Sequence, residues 1–142
     1  QENHLIKHES KDLFVNLNYI LATNKGKSFF LKIDIEGNEY RILDDIINHQ
    51  DNLEGLVIEF HNSDLMEEKI INFINKFNLD LVHIHANNFG EINNKGYATV
   101  FEATFSPRKY NVLRDKNDNI FPVENLDQPN DKNNDDKKIS FE

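Results

Sequence analysis

Apolar and polar residues recur along residues 12–106 with the spacings of helices and strands. Residues 12–21 carry Leu at every fourth position, which predicts a helix with one apolar stripe. Residues 28–36 alternate between two sets of side chains, as in a strand. Apolar residues return at helical spacing directly after Gly37. This part of the chain therefore predicts a strand, a tight turn and a helix.

A second strand followed by a helix is predicted next along the chain. The segment "LVIEF" at 56–60 predicts a buried strand, and Asp64 with Glu67 three residues later has the spacing of a capping box for the helix that follows. Two further strands, at 80–86 and 99–106, are separated by a loop rich in turn residues, which predicts a hairpin. The pattern is that of an α/β fold.

We expect residues 29–36 and 55–60 to form a parallel pair with a crossover helix between them, because parallel neighbours need a connection of about a dozen residues or more. The strand at 99–106 should extend this sheet in the antiparallel sense. Residues 1–106 then form one α/β unit. Residues 107–142 form a polar tail, which we expect to be extended or disordered because it has little apolar area to bury.

Charged side chains interrupt the apolar run at the end of the first sheet strand. Lys32, Asp34 and Glu36 share one face of it, and Glu59 with His61 occupies the corresponding end of the next strand. Ligands of open α/β sheets bind outside the carboxyl ends of the strands. These side chains therefore predict a ligand-binding cleft.

A structural reading of the same residues is also open. Lys32 and Asp34 could form a buried pair, and Glu36 could cap the helix after Gly37. Glu59 and His61 could be satisfied polar residues where a strand meets solvent. Spacing alone does not decide between these readings and a binding cleft.

Metal ligation is a further hypothesis. His83 and His85 share one face of a strand, and imidazole suits zinc or iron, but a carboxylate third ligand would be needed, and we assign these two residues a structural role. Asp34, Glu59 and His61 could hold magnesium, which prefers oxygen ligands. We nevertheless predict no metal site.

Composition narrows the functional classes. The formal net charge is −9 and the basic residues are scattered, which argues against nucleic-acid binding. The sequence has no cysteine, which excludes disulfides and a thiol nucleophile. No apolar run reaches the roughly 20 residues that span a bilayer. We expect a cytoplasmic protein, and the start without methionine suggests a piece of a longer chain.

The segments "LKIDIEGNEYRILDDI" and "LEGLVIEFHN" resemble the second half of the FkbM family of S-adenosylmethionine-dependent methyltransferases. The resemblance covers about residues 28–106. The hairpin "LVHIHANNFG" and "FEATFS", and the later "FPVENLDQPN", look like versions found in bacterial surface-glycan clusters. The residues that match the family pattern are Lys32, Asp34, Glu36, Gly37, Glu39 and Leu43, with Glu59 closing the next strand.

The resemblance implies part of a Rossmann-like sheet with strand order 3-2-1-4-5-7-6, in which residues 28–36, 55–60, 80–86 and 99–106 are strands four to seven. It implies S-adenosylmethionine as cofactor. However, the five glycines of the chain include no G-x-G, so the loop that lets the backbone approach such a ligand is missing. We expect no binding of the cofactor to this chain alone.

The function implied is O-methylation of a sugar hydroxyl in glycan or secondary-metabolite synthesis, with a small-molecule or glycan acceptor. Asp34 would border the methionine end of the cofactor, and Glu36 and His61 would bind the acceptor or act as base; with Glu59, these are the candidate catalytic residues. The alternatives are a non-catalytic interaction module attached to a glycosyltransferase or another enzyme, and a metal-dependent hydrolase using Asp34, Glu59 and His61. A sheet edge left exposed by missing strands would invite self-association or a partner.

Overall fold

The computed structural model describes residues 6–8, 13–24, 26–110 and 120–140. The strands among them are β1 (Ile6–His8), β2 (Leu13–Val15), β3 (Phe29–Ile33), β4 (Leu53–His61), β5 (Asp80–Ala86), β6 (Val100–Ser106), β7 (Ile120–Phe121) and β8 (Ile139–Ser140). The helices are α1 (Leu17–Thr23), α2 (Leu43–Asn48) and α3 (Glu67–Lys76), with 3-10 turns at Glu39–Arg41, Gln50–Asn52 and Arg108–Tyr110.

Four strands form one open sheet in the order β3-β4-β6-β5. β3 and β4 are parallel, with Lys32 opposite Val57, and β6 is antiparallel to both β4 and β5. The predicted parallel pair and the predicted antiparallel strand are therefore confirmed, as is the α/β class. Each of the remaining strands belongs to a two-stranded ribbon, β1 with β2 and β7 with β8.

The three helices pack on one face of this sheet. Ile33, Ile58 and Phe60 project from the strands into a single buried cluster that also contains apolar residues of α1, α2 and α3. Phe60 and Phe105 contact Phe73 of α3, with ring centroids 6.3 and 5.8 Å apart. This apolar face supplies most of the buried hydrophobic area that stabilises the fold.

The opposite face of the sheet is polar. The strand register places Glu59 opposite Glu102, which in turn lies opposite His85, so these three side chains form a row across β4, β6 and β5. The charged side chains of Lys32 in β3 and Glu59 in β4 fit this arrangement, because the helices bury only the other face.

The predicted helix at 12–21 was wrong in its first half. Leu13–Val15 pairs with β1, and the helix begins only at Leu17. Asn16 explains the boundary, because its side-chain oxygen accepts a hydrogen bond from the backbone N–H of Tyr19 at 2.6 Å, as an N-cap residue does.

Two further expectations on local structure need correction. The predicted strand at 28–36 ends at Ile33, because the chain turns sharply over the next four residues. The capping box was also wrong: α3 begins at Glu67, its N-cap position is Met66, and no side chain caps it. The turn before α3 is closed instead by backbone bonds, with the N–H of Met66 donating to the carbonyl of Asn62 at 3.1 Å.

Residues 120–140, which we call the strap, lie against β5. Nε2 of His83 is 2.7 Å from Oδ1 of Asp127, and Nε2 of His85 is 2.8 Å from Oδ2 of Asp136. These contacts hold the strap over the polar face at the β5 edge of the sheet.

Two more contacts anchor the strap. Phe121 is only 2% exposed, and its ring centroid lies 5.3 Å from that of His83. Asn88, just after β5, exchanges two hydrogen bonds with the backbone of Asp131, at 2.7 and 2.9 Å. Among the described residues, no helix is long and apolar enough to cross a membrane.

Candidate functional site

A cleft of about 540 Å³ opens on the polar face, where β3 and β4 end. The carboxyl ends of parallel neighbours meet at the same edge of a sheet, which brings residues from both strands into it. The residues that line the cleft are Lys32, Asp34, Glu36, Glu59, His61, Asn87, Phe89, Gly90, Val100, Glu102 and Asn130.

All four candidate catalytic residues lie in this cleft. One ligand atom each of Asp34, Glu36 and His61 falls within 4.8 Å of the others. Oε2 of Glu59 is 3.6 Å from Nε2 of His61. The structure thus brings together side chains that are up to 27 positions apart in sequence, as the strand pairing predicted.

The turn after β3 presents Glu36 to the cleft. Glu36 has a φ of 53° and Gly37 a φ of 91°, so the chain passes through the left-handed region at two consecutive residues. Glycine adopts this conformation readily, but a glutamate there is strained by about 1 kcal/mol or more. The Glu36 side chain is 83% exposed, and its carboxylate faces His61 at 3.3 Å. The strained conformation therefore places an exposed carboxylate in the cleft. It does not serve to bury apolar surface.

His61 is the residue around which the carboxylates gather. Its side chain is 14% exposed, and its Nε2 lies 3.3 Å from Glu36 and 3.6 Å from Glu59. Its Nδ1 lies on the inner side, 3.4 Å from Oε1 of Glu39. Each nitrogen of the imidazole thus faces at least one carboxylate oxygen.

Glu59 is the buried carboxylate of the cleft. Nδ2 of Asn87 donates a 2.7 Å hydrogen bond to its Oε1. Burial raises the pKa of Glu59, and the nearby Asp34 carboxylate raises it further. Glu59 therefore retains a proton to a higher pH than an ordinary glutamate, which suits a group that exchanges protons.

The structural alternatives for Lys32 and Glu36 were wrong. The ammonium of Lys32 pairs with Glu102 of β6, and both Lys32 and Asp34 are exposed. Glu36 caps no helix, since the N–H of Gly37 donates to Oε2 of Glu39 at 2.9 Å.

Tyr40 fixes the end of β4 through a hydrogen bond to its backbone. Its hydroxyl donates a 2.6 Å hydrogen bond to the backbone carbonyl of His61. Burial raises the pKa of Tyr40 well above its ordinary value, and the charges of Glu39 and Asp64 raise it further. The hydroxyl therefore remains a donor across the physiological pH range.

Sequence reasoning missed several residues of the site. Glu39 was noted only as part of the family pattern, although it is completely buried beside His61. Asn87 and Phe89 come from the loop after β5, and Asn130 comes from the strap. The available signal for Glu39 was its acidic side chain two positions after Gly37. No local pattern marks Asn87, Phe89 or Asn130.

His83 and His85 do not reach the cleft. Each faces a carboxylate of the strap, and neither belongs to a group of three or more ligand side chains among the described residues. The geometry places them in the contact between β5 and the strap.

The cleft is suited to a neutral or cationic ligand. Asp34, Glu36 and Glu59 contribute carboxylates, whereas the ammonium of Lys32 is already paired. The exposed carboxylate of Asp34 could accept hydrogen bonds from an ammonium group. The sequence supplies no glycine-rich loop for the rest of an adenosyl cofactor, so the residues present fit only part of such a ligand.

Comparison with known proteins adds no assignment: no family profile, curated protein or solved structure matches the chain.

Proposed function

We propose that this chain forms the acceptor-binding half of an S-adenosylmethionine-dependent O-methyltransferase that acts on a sugar hydroxyl. The observation that carries the proposal is the position of His61, whose Nε2 faces the cleft between Glu36 and Glu59. An imidazole in this position can accept the proton of an acceptor hydroxyl and so act as a general base.

Three further observations support the proposal. The order β3-β4-β6-β5 agrees with the order that the family resemblance implies for strands four to seven. The cleft also lies at the carboxyl ends of two parallel strands, where α/β enzymes bind their ligands. Phe89, exposed at the cleft, offers an aromatic surface against which the apolar face of a sugar ring can pack.

S-adenosylmethionine would supply the electrophilic methyl group when bound. Asp34 would lie near its ammonium group, and Glu36 with Glu59 would bind acceptor hydroxyls. The remaining contacts to the cofactor must come from residues outside this chain, because its sequence has no G-x-G loop. We therefore expect calorimetry with S-adenosylmethionine to detect no binding to the 142 residues alone, and a micromolar dissociation constant would refute this division of roles.

The test of the function is methyl transfer by the protein encoded by the complete open reading frame. Radiolabelled S-adenosylmethionine and a pool of methyl glycosides would serve as probes, with His61→Gln as the site control. We expect label in the sugar fraction that depends on His61. An upstream frame without a strand followed by G-x-G-x-G, together with no transfer, would instead favour the non-catalytic interaction module.

One observation favours a second candidate. Asp34, Glu36 and His61 are close enough to share a divalent cation, which would suit a metal-dependent hydrolase. Calorimetric titration with MgCl₂, MnCl₂ and ZnCl₂ separates the two functions. Saturable binding that is lost in Glu36→Gln and kept in Glu102→Gln would favour the hydrolase.

A further inference from the structure

Glu39 is a completely buried carboxylate directly behind the cleft. A buried charge is costly unless hydrogen bonds compensate it. Two backbone groups do so here: the N–H of Gly37 donates to Oε2 at 2.9 Å, and the N–H of His61 donates to Oε1 at 2.7 Å. Glu39 therefore ties the turn after β3 to the end of β4.

The same carboxylate lies beside the inner nitrogen of the His61 ring. Oε1 of Glu39 is 3.4 Å from Nδ1, which is buried and has no hydrogen-bond partner among the described residues. A proton on Nδ1 would lie beside an anionic oxygen, whereas a bare Nδ1 lone pair would face a negative charge. Carboxylates also lie near Nε2, but Glu36 is 83% exposed and screened by water, and burial raises the pKa of Glu59. The charge of the buried Glu39 is not screened in this way, so electrostatics favour the proton on Nδ1.

A neutral imidazole carries its proton on only one of its two nitrogens. With the proton on Nδ1, Nε2 carries a free lone pair. Nε2 is the nitrogen that faces the cleft, close to Glu36 and Glu59. The ring orientation and the buried carboxylate thus act in the same direction.

We propose that Glu39 is a positioning residue, which holds the neutral His61 ring with its proton on Nδ1 and so presents the Nε2 lone pair to the cleft. The inference rests on the proposed function for the use of that lone pair, as acceptor of the hydroxyl proton of the substrate. The tautomer and its dependence on Glu39 are properties of the chain without any ligand.

A purely structural Glu39 would behave differently. If it served only to bridge the two backbone N–H groups, its replacement would lower stability and leave the tautomer of His61 unchanged. Stability alone cannot separate these roles, so the test must report on the ring itself.

The experiment is nitrogen NMR of the 142-residue chain labelled with ¹⁵N-histidine, followed from acid to a pH at which the rings are neutral. The His61 signals are identified by their loss in His61→Gln. We expect the proton of neutral His61 on Nδ1 in the wild type, and a shift towards the Nε2-protonated form in Glu39→Gln. Glu102→Gln, which removes a carboxylate of the same cleft, is the matched control and should leave the tautomer unchanged.

A wild-type ring with its proton on Nε2 would overturn the proposal. An unchanged tautomer in a folded Glu39→Gln would overturn it as well. Glu39→Asp keeps the charge and should restore part of the wild-type tautomer.

Kinetics of the complete enzyme separate this inference from the proposed function. Glu39→Gln should lower kcat, by up to the roughly 10²–10⁴-fold that a general base contributes, with little change in the KM of the acceptor. The Nδ1-protonated tautomer in a protein whose turnover does not depend on His61 would refute the function and leave the positioning role intact.

Discussion

Two strands of one sheet carry histidines on the same polar face, and their surroundings differ. His61 ends β4, two residues after Glu59, and it faces three carboxylates at 3.3 to 3.6 Å. His83 and His85 lie within β5, and each faces one carboxylate of the strap at 2.7 or 2.8 Å. One region gathers acidic groups around a single imidazole, whereas the other pairs each imidazole with one acid.

The strap accounts for the difference. It covers β5 and supplies each histidine with its own acceptor, so the polar groups there are satisfied within the protein. At the ends of β3 and β4 the carboxylates of Asp34 and Glu36 remain exposed around His61. Groups that are satisfied internally stabilise the fold, and groups left open towards a cleft are available to a ligand.

The sharpest test of this comparison is turnover in the complete enzyme. His61→Gln should reduce it by about 10²–10⁴-fold, the range expected for loss of a general base. His83→Gln is the matched control and should leave turnover within a few-fold of wild type, because its ring packs against Asp127 and Phe121 of the strap. Equal losses in the two variants would show that the two regions do not differ in function.

The next largest effect concerns the strap itself. Phe121→Ala should lower the free energy of unfolding by about 3–5 kcal/mol, as for other buried phenylalanines. Phe89→Ala removes a side chain that is 71% exposed and should change stability by no more than about 0.5 kcal/mol. Urea denaturation of both variants gives the comparison, and a stable Phe121→Ala would mean that the strap is not anchored by this ring.

Removing one side-chain contact between β5 and the strap should have a smaller effect on stability. His83→Leu leaves Oδ1 of Asp127, which is largely buried, without its imidazole partner, while Oδ2 keeps the N–H of Val123, and the expected cost is about 1–3 kcal/mol. Lys32→Leu breaks the pair with Glu102 on the same face, where both partners have solvent access, and should cost about 0–1 kcal/mol. The measurement is thermal unfolding of both variants. A larger loss of melting temperature in Lys32→Leu than in His83→Leu would contradict the comparison.

The smallest effect is a dependence of stability on pH. The pKa of Glu59 is raised in the folded protein by burial and by Asp34, so its contribution to stability is present in acid and is lost as pH rises through the folded pKa. Glu59→Gln should therefore raise the melting temperature at neutral pH, and this gain should disappear below the ordinary pKa of glutamate.

Glu54 provides a control of opposite sign. Hydrogen bonds from Lys109 and Tyr110 lower its pKa, so its contribution is present at neutral pH and is lost as pH falls. Glu54→Gln should lower the melting temperature slightly at neutral pH and have no effect in acid. If the melting temperatures of the Glu59→Gln and Glu54→Gln variants changed with pH in the same direction, the surroundings of Glu59 would not raise its pKa.

Much of the sheet could be predicted because its determinants are local. Alternation placed β3, β4, β5 and β6 within a few residues of their observed bounds, and the parallel pairing followed from the length of the crossover. That pairing was enough to bring Asp34, Glu36, Glu59 and His61 to one edge.

The remaining features depend on contacts between distant parts of the chain. Asp127 meets His83 across 44 positions, and no periodic pattern records such a pair. Leu13 continues the helical spacing of Leu17 and Leu21, but Leu13–Val15 pairs with β1. The cap at Asn16 then sets the start of the helix at Leu17. Glu39 was noted only as part of the family pattern, because one of the two N–H groups that compensate its burial comes from His61, 22 positions later.

The left-handed backbone at Glu36 also gives a way to read the history of this protein. Replacement by glycine requires one nucleotide change in either glutamate codon and would relieve the strain of about 1 kcal/mol or more. In a lineage in which the cleft has lost its use, replacement of this side chain by glycine should therefore be neutral or favourable. A glutamate at this turn in a related gene would indicate continuing selection for the cleft, and a glycine or asparagine there would mark a copy retained for its fold alone.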